Sequence, residues 1–280
     1  MRCDRCGRDA IMFQRYSGNH FCGEHFQRDL VARAKRAIRA RGWIRSGDRV
    51  AIALSGGPCS CSLLHFIPAH FGMRPDLSLV ALTIDDGNLP APGLDRIRDI
   101  AGGLGIEWFS AFPDQESVDH PDGILPALVS LAGRIGATKL ALGTNLDDLA
   151  GSVLLQVLGG EGGRLLDRSP HEAGGIPVIE PFIGIPEEEL RLYARLNVPG
   201  AGPGRRPHAS DPLEIEAARF LGEYTGRHPS APFALARLAE SLADPEGSRP
   251  RALRPGRERG KRSGPGGRGR ELRVRETGHG

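Results

Sequence analysis

No stretch of this 280-residue chain approaches the roughly 20 consecutive apolar residues that a membrane helix needs, so a membrane role is excluded from the expectation. The opening segment, Met1 to Gly7, is charged and holds two cysteines, which is unlike a secretion signal. Cysteine is scarce: five residues, three of them crowded near the start at short spacings. Secreted disulfide frameworks pair an even number of cysteines, so this usage points to metal-binding thiolates in a reducing compartment, and the cytoplasm is the expected location. Large apolar residues are almost missing after about Asp244, where Arg, Gly and Pro dominate. Such a stretch cannot offset the entropy of ordering and is expected to be a disordered basic tail over residues 244–280.

What remains is enough for a core, with 39% hydrophobic and 25% charged residues over one main domain. The formal charge of +3 conceals a division. Residues 249–280 carry 11 Lys/Arg against 3 Glu, a net of +8, leaving 26 basic and 31 acidic residues before them, a net of −5. The foldable part is acidic and the tail is basic.

The pattern along the chain alternates strand and helix. Residues 1–27 read as a compact knuckle and 28–47 as a linking helix, with Leu30, Ala34 and Ile38 on one side. Arg49 to Leu54 is a short apolar run ending in Ser55-Gly56-Gly57, the form of a buried parallel strand that turns into a helix. Strand signals recur at Leu77 to Asp85, Glu107 to Phe112 and Lys139 to Gly143. Helical signals fall at Asp95 to Gly103, Ile124 to Ile135, Asp147 to Leu158, Pro186 to Leu196, Pro212 to Tyr224 and Phe233 to Leu242. This alternation predicts an α/β fold over residues 48–243, a parallel sheet covered by helices on both faces, with ligands beyond the carboxyl ends of the strands.

Two constellations carry chemistry. Cys3 and Cys6 are two residues apart, Cys22 and His25 likewise, with fifteen residues between the pairs. That is the spacing of a closed tetrahedral zinc site, which holds shape and leaves no position for substrate. His20 is the rival fourth ligand, and the Cys-x-x-His spacing favours His25. The second constellation is Ser55-Gly56-Gly57-Pro58-Cys59-Ser60 between strand and helix, where backbone amides and a helix dipole can hold a phosphate. Cys59 there has two readings, a thiol made reactive by the helix terminus or a small buried residue.

In context these motifs resemble the PP-loop ATP pyrophosphatases, and within them the tRNA 2-thiolation enzymes. The loop is similar to their Ser-Gly-Gly-x-Asp-Ser, with Cys59 in place of the acid. Gly143-Thr-Asn-Leu-Asp-Asp-Leu-Ala150 resembles their Gly-His-Asn-Leu-Asp-Asp-Glu-Ala element. Thr83-Ile-Asp-Asp-Gly87, the knuckle and the stretch from Ile179 to Arg195 match in the family's order, covering roughly residues 1–240. The resemblance implies a Rossmann-like fold and a two-step reaction. ATP adenylates the C2 carbonyl oxygen of a uridine, and a sulfur donor then displaces AMP. Carried over by position, nucleotide binding falls to Ala53, Ser55, Gly56, Gly57, Ser60, Ile84, Gly143 and Asp148. Asp147 or Asp148 is the candidate catalytic acid, with Mg²⁺ as the accompanying ion. The alternative for both acids is helix capping beside Asn145, worth about 1 kcal/mol.

Three departures qualify the resemblance. Cys59 removes a carboxylate expected to help hold Mg²⁺. The family's cluster cysteines fall near Ser117, His120 and Arg206, so with three cysteines in the knuckle only Cys59 and Cys61 are left, and an iron–sulfur cluster is not expected. A second, carboxyl-terminal knuckle is replaced by the basic tail. His120 and His208 could hold another metal, though solvated histidines are the simpler reading. The implied partners are tRNA and a sulfur-carrier protein or an active paralogue, with a homodimer as a further option. The competing function is a catalytically inactive paralogue that binds RNA or serves as a partner subunit.

Overall fold

The computed structural model describes residues 1–87, 89, 93–113, 124–160, 172–173, 175–202 and 212–243. Ser117, His120, Arg206, His208 and the basic tail lie outside the described residues.

The chain begins with a hairpin, β1 (Met12–Gln14) and β2 (Asn19–Phe21), antiparallel with Met12 opposite Phe21. Its strands are too short for a period of two to be read from the sequence. Helix α1 (Gly23–Arg41) follows directly and ends at Gly42, whose φ of 59° lets the chain turn off the helix. Phe26, Leu30, Ala34 and Ile38 form its buried stripe at the spacing of a helix face. They share one core with Cys3 and Cys22 of the knuckle and with Val50 and Ile52 of the sheet. Each large side chain buried there contributes about 1.5–3 kcal/mol.

The main sheet has six strands: β3 (Arg49–Ala53), β4 (Ser78–Ile84), β5 (Glu107–Ala111), β6 (Lys139–Ala141), β7 (Glu172–Ala173) and β8 (Ile176–Ile179). Their order is β5-β4-β3-β6-β8-β7, parallel except for β7, which runs antiparallel to β8 at the edge. Crossovers run from β3 outward through β4 to β5, then return to β6 on the other side. The reversal opens a crevice between the ends of β3 and β6, where doubly wound sheets take their ligands.

Alternation along the strands divides the layers. Val50, Ile52, Ala81, Ala141 and Ile179 face α1, α2 (Pro58–Phe71), α3 (Gly93–Gly103) and α6 (Glu187–Asn197). Ala51, Val80, Leu82, Leu140 and Val178 face α4 (Leu125–Arg134). A third cluster joins Leu146, Leu149 and Val153 of α5 (Leu146–Leu158) to Ile183 and to Phe233, Ala236 and Ala239 of α8 (Ala231–Ala243). Helix α7 (Pro212–Arg227) packs on α5 and α8. Strand β8 carries no sequence signal because Pro177 interrupts it, yet Leu140 and Ala141 pair with Val178 and Ile179. No described helix is long and apolar enough to cross a membrane.

A buried polar network ties the hairpin to the sheet domain. Glu189 of α6 is fully buried and accepts from Tyr16 at 2.7 Å, from Gln14 at 3.3 Å and from Arg33 of α1. Arg33 also bonds Asp29 at 2.9 Å. Burial works against the Arg33 charge, but Glu189, Tyr16 and Asp29 outweigh it and hold the guanidinium protonated.

Candidate functional site

The metal-ligand set is assembled by two turns. Gly7 N donates to Cys3 O at 2.8 Å with φ 72° at Gly7, closing the first loop around Cys3 and Cys6. Cys22 is the N-cap of α1 and His25 lies in its first turn, so the second pair comes from the start of a helix. Cys3 Sγ lies 3.6 Å from His25 Nδ1, Cys6 Sγ 3.7 Å from Cys22 Sγ, and Cys22 Sγ 3.3 Å from His25 Nδ1. All four ligand atoms fall within 4.8 Å of one another. A tetrahedron with Zn–S near 2.3 Å and Zn–N near 2.05 Å has edges of roughly 3.5–3.8 Å, so one zinc ion fits this set. Burial opposes ionisation of Cys3, but backbone amides of Cys22, Arg5 and Cys6 outweigh it and bring the thiol down to about 6. His20 stands apart: it lies 3.5 Å from Asp4 and stacks on Phe13.

At the switch point, β3 ends at Ala53 and the chain enters the Ser55–Ser60 loop. Gly56 has φ 74°, and a Cβ there would lie 3.0 Å from Ile97, so both backbone and space require glycine. Ser60 is 7% exposed, and its hydroxyl accepts from Ser55 N at 3.1 Å and donates to Gly57 O at 3.1 Å. That hydroxyl braces the loop from inside. The amides of Gly56, Gly57 and Cys59 have no hydrogen-bond partner among the described residues. Unsatisfied amides at the start of α2, with the helix dipole behind them, suit an anion.

Gly143, after β6, presses on this turn. A Cβ at Gly143 would lie 3.0 Å from both Cys59 C and Ser60 N. From the other side, Gly202 N donates to Gly56 O at 3.0 Å, and a Cβ at Gly202 would lie 2.6 Å from Arg96 Nη1. The half-buried Arg96 of α3 thus brings a guanidinium beside the Ser55–Ser60 loop. No sequence motif marked it; only its position two turns before the end of an amphipathic helix beyond β4 could have raised the question. Ile84, 4% exposed, is a core residue of the sheet, so only its backbone can meet a ligand.

Asn145 organises the acids. Its Oδ1 accepts from Asp147 N at 2.8 Å and Asp148 N at 3.1 Å, while Asp148 Oδ2 accepts from Asn145 N at 3.0 Å, a complete capping box. Asp147 Oδ2 accepts from Glu187 N at 2.6 Å, at the start of α6. Asn145 Nδ2 lies 3.5 Å from Cys59 Sγ. Three helix N-termini, those of α2, α5 and α6, therefore converge on one crevice. The capping role is observed for both acids, and each capping bond occupies one carboxylate oxygen.

The electrostatics of the crevice are those of crowded acids. Burial, with Glu187, Asp147 and Glu180 nearby, pushes the Asp148 carboxyl up to about 6 against the backbone bond from Asn145. Burial and Glu187 also raise Asp147. For Cys59, burial, Glu187 and Asp148 push the thiol up to about 12. This favours the second reading of Cys59, a half-buried thiol that burial first and the neighbouring acids second keep protonated, over an activated thiolate.

Comparison with known proteins agrees with this architecture. Residues 2–27 match the family described as the N-terminal LIM domain of the 2-thiouridine synthetase TtuA. The tRNA 2-thiolation protein NcsA of Haloferax volcanii is 29% identical, with 87% of each chain covered. The tRNA-cytidine(32) 2-sulfurtransferase of Geobacter sulfurreducens is 35% identical over 58% of this chain and 68% of its own. The fold matches that of the U34-tRNA thiolase NcsA from Methanococcus maripaludis, solved with its [4Fe-4S] cluster, with a TM-score of 0.77 at 22% identity over 87% of this chain and 88% of that one.

Proposed function

We propose that this chain, which belongs to the tRNA 2-thiolation family of PP-loop ATP pyrophosphatases, uses ATP to adenylate the C2 carbonyl oxygen of a tRNA pyrimidine, uridine in the first place. The knuckle supports uridine, since its match is to a 2-thiouridine synthetase. The observation that carries the reading is the set of unsatisfied amides at Gly56, Gly57 and Cys59, opposite Gly143 at the sheet's switch point.

In this reading the amides hold the pyrophosphate portion of ATP, with Arg96 adding charge from the side. Ala53, Ser55, Ile84 and Gly143 line the nucleotide site, and Ser60 keeps the loop in shape. The free oxygens of Asp147 and Asp148 suit Mg²⁺, a hard cation that takes oxygen ligands and neutralises phosphate charge when bound. The base oxygen attacks the α-phosphorus, the bond to pyrophosphate breaks, and the C2 oxygen becomes part of an AMP leaving group. A sulfide-level donor, free or on a sulfur-carrier protein, then forms the C–S bond as AMP departs.

Cys3, Cys6, Cys22 and His25 are assigned to one structural zinc, closed to substrate. A cubane cluster sets its thiolates on separate irons, farther apart than ligands that gather around one ion. Outside the knuckle this chain carries Cys59 and Cys61. Cys61 is fully buried, and the two sit at i and i+2 of a helix, which do not face each other. A cluster held by three cysteines does not fit these residues, and no step here is routed through one.

The test is pyrophosphate release from ATP–Mg²⁺ with unmodified tRNA, followed by mass spectrometry of the nucleosides after sulfide is added, and metal analysis of the protein. Pyrophosphate release that needs tRNA, a 2-thiopyrimidine product and one zinc per chain are expected. ATP that fails to bind would overturn the reading. A second reading rests on the capping bonds of both acids and the protonated Cys59: an inactive paralogue that binds RNA for an active partner. Binding of ATP and tRNA without any pyrophosphate release would select it.

A further inference from the structure

Helix α6 is gripped unevenly. From Leu190 onward it lies on α2: Ser62 Oγ donates to Leu190 O at 3.0 Å, His65 Nδ1 lies 3.0 Å from Tyr193 Oη, and Leu190, Tyr193 and Ala194 are buried. Its first turn has less to hold it. Pro186 is the N-cap and offers no side-chain cap, so the Glu187 amide is satisfied from outside, by Asp147 Oδ2 at 2.6 Å. That same bond fixes the Asp147 carboxylate, so the position of this one turn sets where the acid points. Leu146 N donates to Ile185 O at 3.0 Å, which ties down the residue before the turn and not the turn itself. A cavity of about 100 Å³ lies against the turn, lined among others by Gln14, Tyr16, Leu146, Asp147, Pro186 and Glu189. On that side the turn is held by hydrogen bonds rather than by packing.

Those bonds come from the hairpin that lies between the two metal-ligand pairs. Glu189, two residues after the Glu187 amide, is fully buried; both of its oxygens accept from Gln14 Nε2 at 3.3 Å, and Oε1 also accepts from Tyr16 Oη at 2.7 Å. Arg33 supplies the opposite charge, with Asp29 on its other side. Charge balance therefore needs only Arg33, and the two neutral donors add direction. Their own orientation is fixed in turn. Gln14 is buried, its Oε1 accepts from Ser17 Oγ at 2.9 Å, and Ser17 Oγ accepts from Asn19 Nδ2 at 2.9 Å. The Tyr16 ring packs on Phe233 with centroids 4.6 Å apart. A carboxylate gripped by donors from two separate elements, each locked by its own neighbours, keeps one rotamer and keeps its backbone in place.

We propose that Tyr16 and Gln14 are positioning residues for Asp147: by holding Glu189 they set the first turn of α6, and with it the carboxylate that faces the cation accompanying ATP. The proposal rests on the reading of Asp147 as a Mg²⁺ ligand, and its test separates the two. In the full chain, Tyr16→Phe keeps the ring on Phe233 and removes one donor, while Gln14→Met keeps the volume and removes the other. Hydrogen exchange followed by NMR should show the Glu187 amide exchanging about fivefold to tenfold faster in each variant, the factor for one lost hydrogen bond, beyond any change at the Ile52 amide of β3. In isothermal titration each variant should raise the Kd for ATP–Mg²⁺ about threefold to tenfold and leave that for Mg²⁺-free ATP unchanged. Asp147→Asn should raise the Kd for ATP–Mg²⁺ at least as much, and Tyr16→Phe placed on top of it should add nothing. If Asp147→Asn binds ATP–Mg²⁺ like wild type, the reading of the acid is lost and the proposal with it. If Asp147→Asn weakens binding while Tyr16→Phe and Gln14→Met do not, the proposal alone falls. It also falls if the Glu187 and Ile52 amides speed up equally, or if the effects of Tyr16→Phe and Asp147→Asn add in full, since residues that only stabilise the fold would give both results.

Discussion

Gly143→Ala tests the phosphate loop from its neighbour. The added Cβ would lie 3.0 Å from Cys59 C, 3.0 Å from Ser60 N and 3.2 Å from Cys59 O, all backbone atoms of the first turn of α2. Backbone cannot rotate away as a side chain end could, so the turn must shift by some tenths of an ångström. Overpacking of this kind costs about 1–3 kcal/mol. In a folded region of this size it should lower Tm by about 2–4 °C for each kcal/mol. The larger effect falls on ligand binding, because the displaced turn carries the free amides. A hydrogen bond to a charged group is worth about 1.5–3 kcal/mol. Losing one such bond raises the Kd for ATP about tenfold to a hundredfold. Isothermal titration with ATP–Mg²⁺ reads that shift, beside a melting curve. Gly151→Ala is the control, since a Cβ there meets nothing within 4 Å and the position is inside α5. It should leave the Kd unchanged and stabilise the helix by about 0.5–1 kcal/mol. If Gly143→Ala binds ATP as tightly as wild type, the amides of this turn do not hold the phosphates and the site is misplaced.

Arg96→Ala should raise the Kd for ATP about tenfold with little change in Tm, as measured by the same titration, because it removes one charge-assisted contact. Glu189→Ala leaves the Arg33 guanidinium buried against Asp29 alone and should cost about 3–5 kcal/mol, read by denaturant unfolding. Asp148→Asn should raise Tm in Mg²⁺-free buffer at pH 7. The sign follows from the raised carboxyl: the folded state favours its protonated form, so that contribution is present below the ordinary value of 3.8 and lost as pH rises through about 6. The gain in Asp148→Asn should fade as pH falls through 6 toward 4, and a gain that persists at pH 4 would contradict the crowding of acids described above.

Periodic apolar stripes and strand-end glycines made most of the fold legible. Leu30, Ala34 and Ile38 mark the buried side of α1, and Val50 to Ile52 mark a strand covered on both faces. The four knuckle ligands were legible from spacing because chelation by two short turns leaves few arrangements. Strand β8 was hidden because Pro177 breaks its pattern, and the hairpin because strands of three residues have no period to read. Arg96 was invisible for another reason. Its place at the loop depends on Gly202, about a hundred residues away, folding back to bond Gly56 O. Cys59 was open to two readings because a helix terminus is a local feature, while the burial that raises its thiol, and the acids that add to it, come from the packing of α5 and α6 around it.

The capping bonds and the proposed chemistry of the acids support each other. A carboxylate with one oxygen bound to a helix-terminal amide is fixed in rotamer, and a fixed acid is what a metal–phosphate site requires. Asp147 is fixed by α6 and Asp148 by Asn145, which also reaches Cys59. Helix α6 is itself held by Glu189, whose partners Tyr16 and Gln14 belong to the hairpin of the metal knuckle. The knuckle is thereby connected to the acids through hydrogen bonds and one short helix. The cost of desolvating Asp147 and Asp148 beside Glu187 falls on the ligand-free protein, and the cation of the proposed reading would relieve it. Glu187, in the first turn of α6, is already paired with Arg191 at 2.8 Å, so the deficit rests on Asp147 and Asp148, whose carboxyls are both raised.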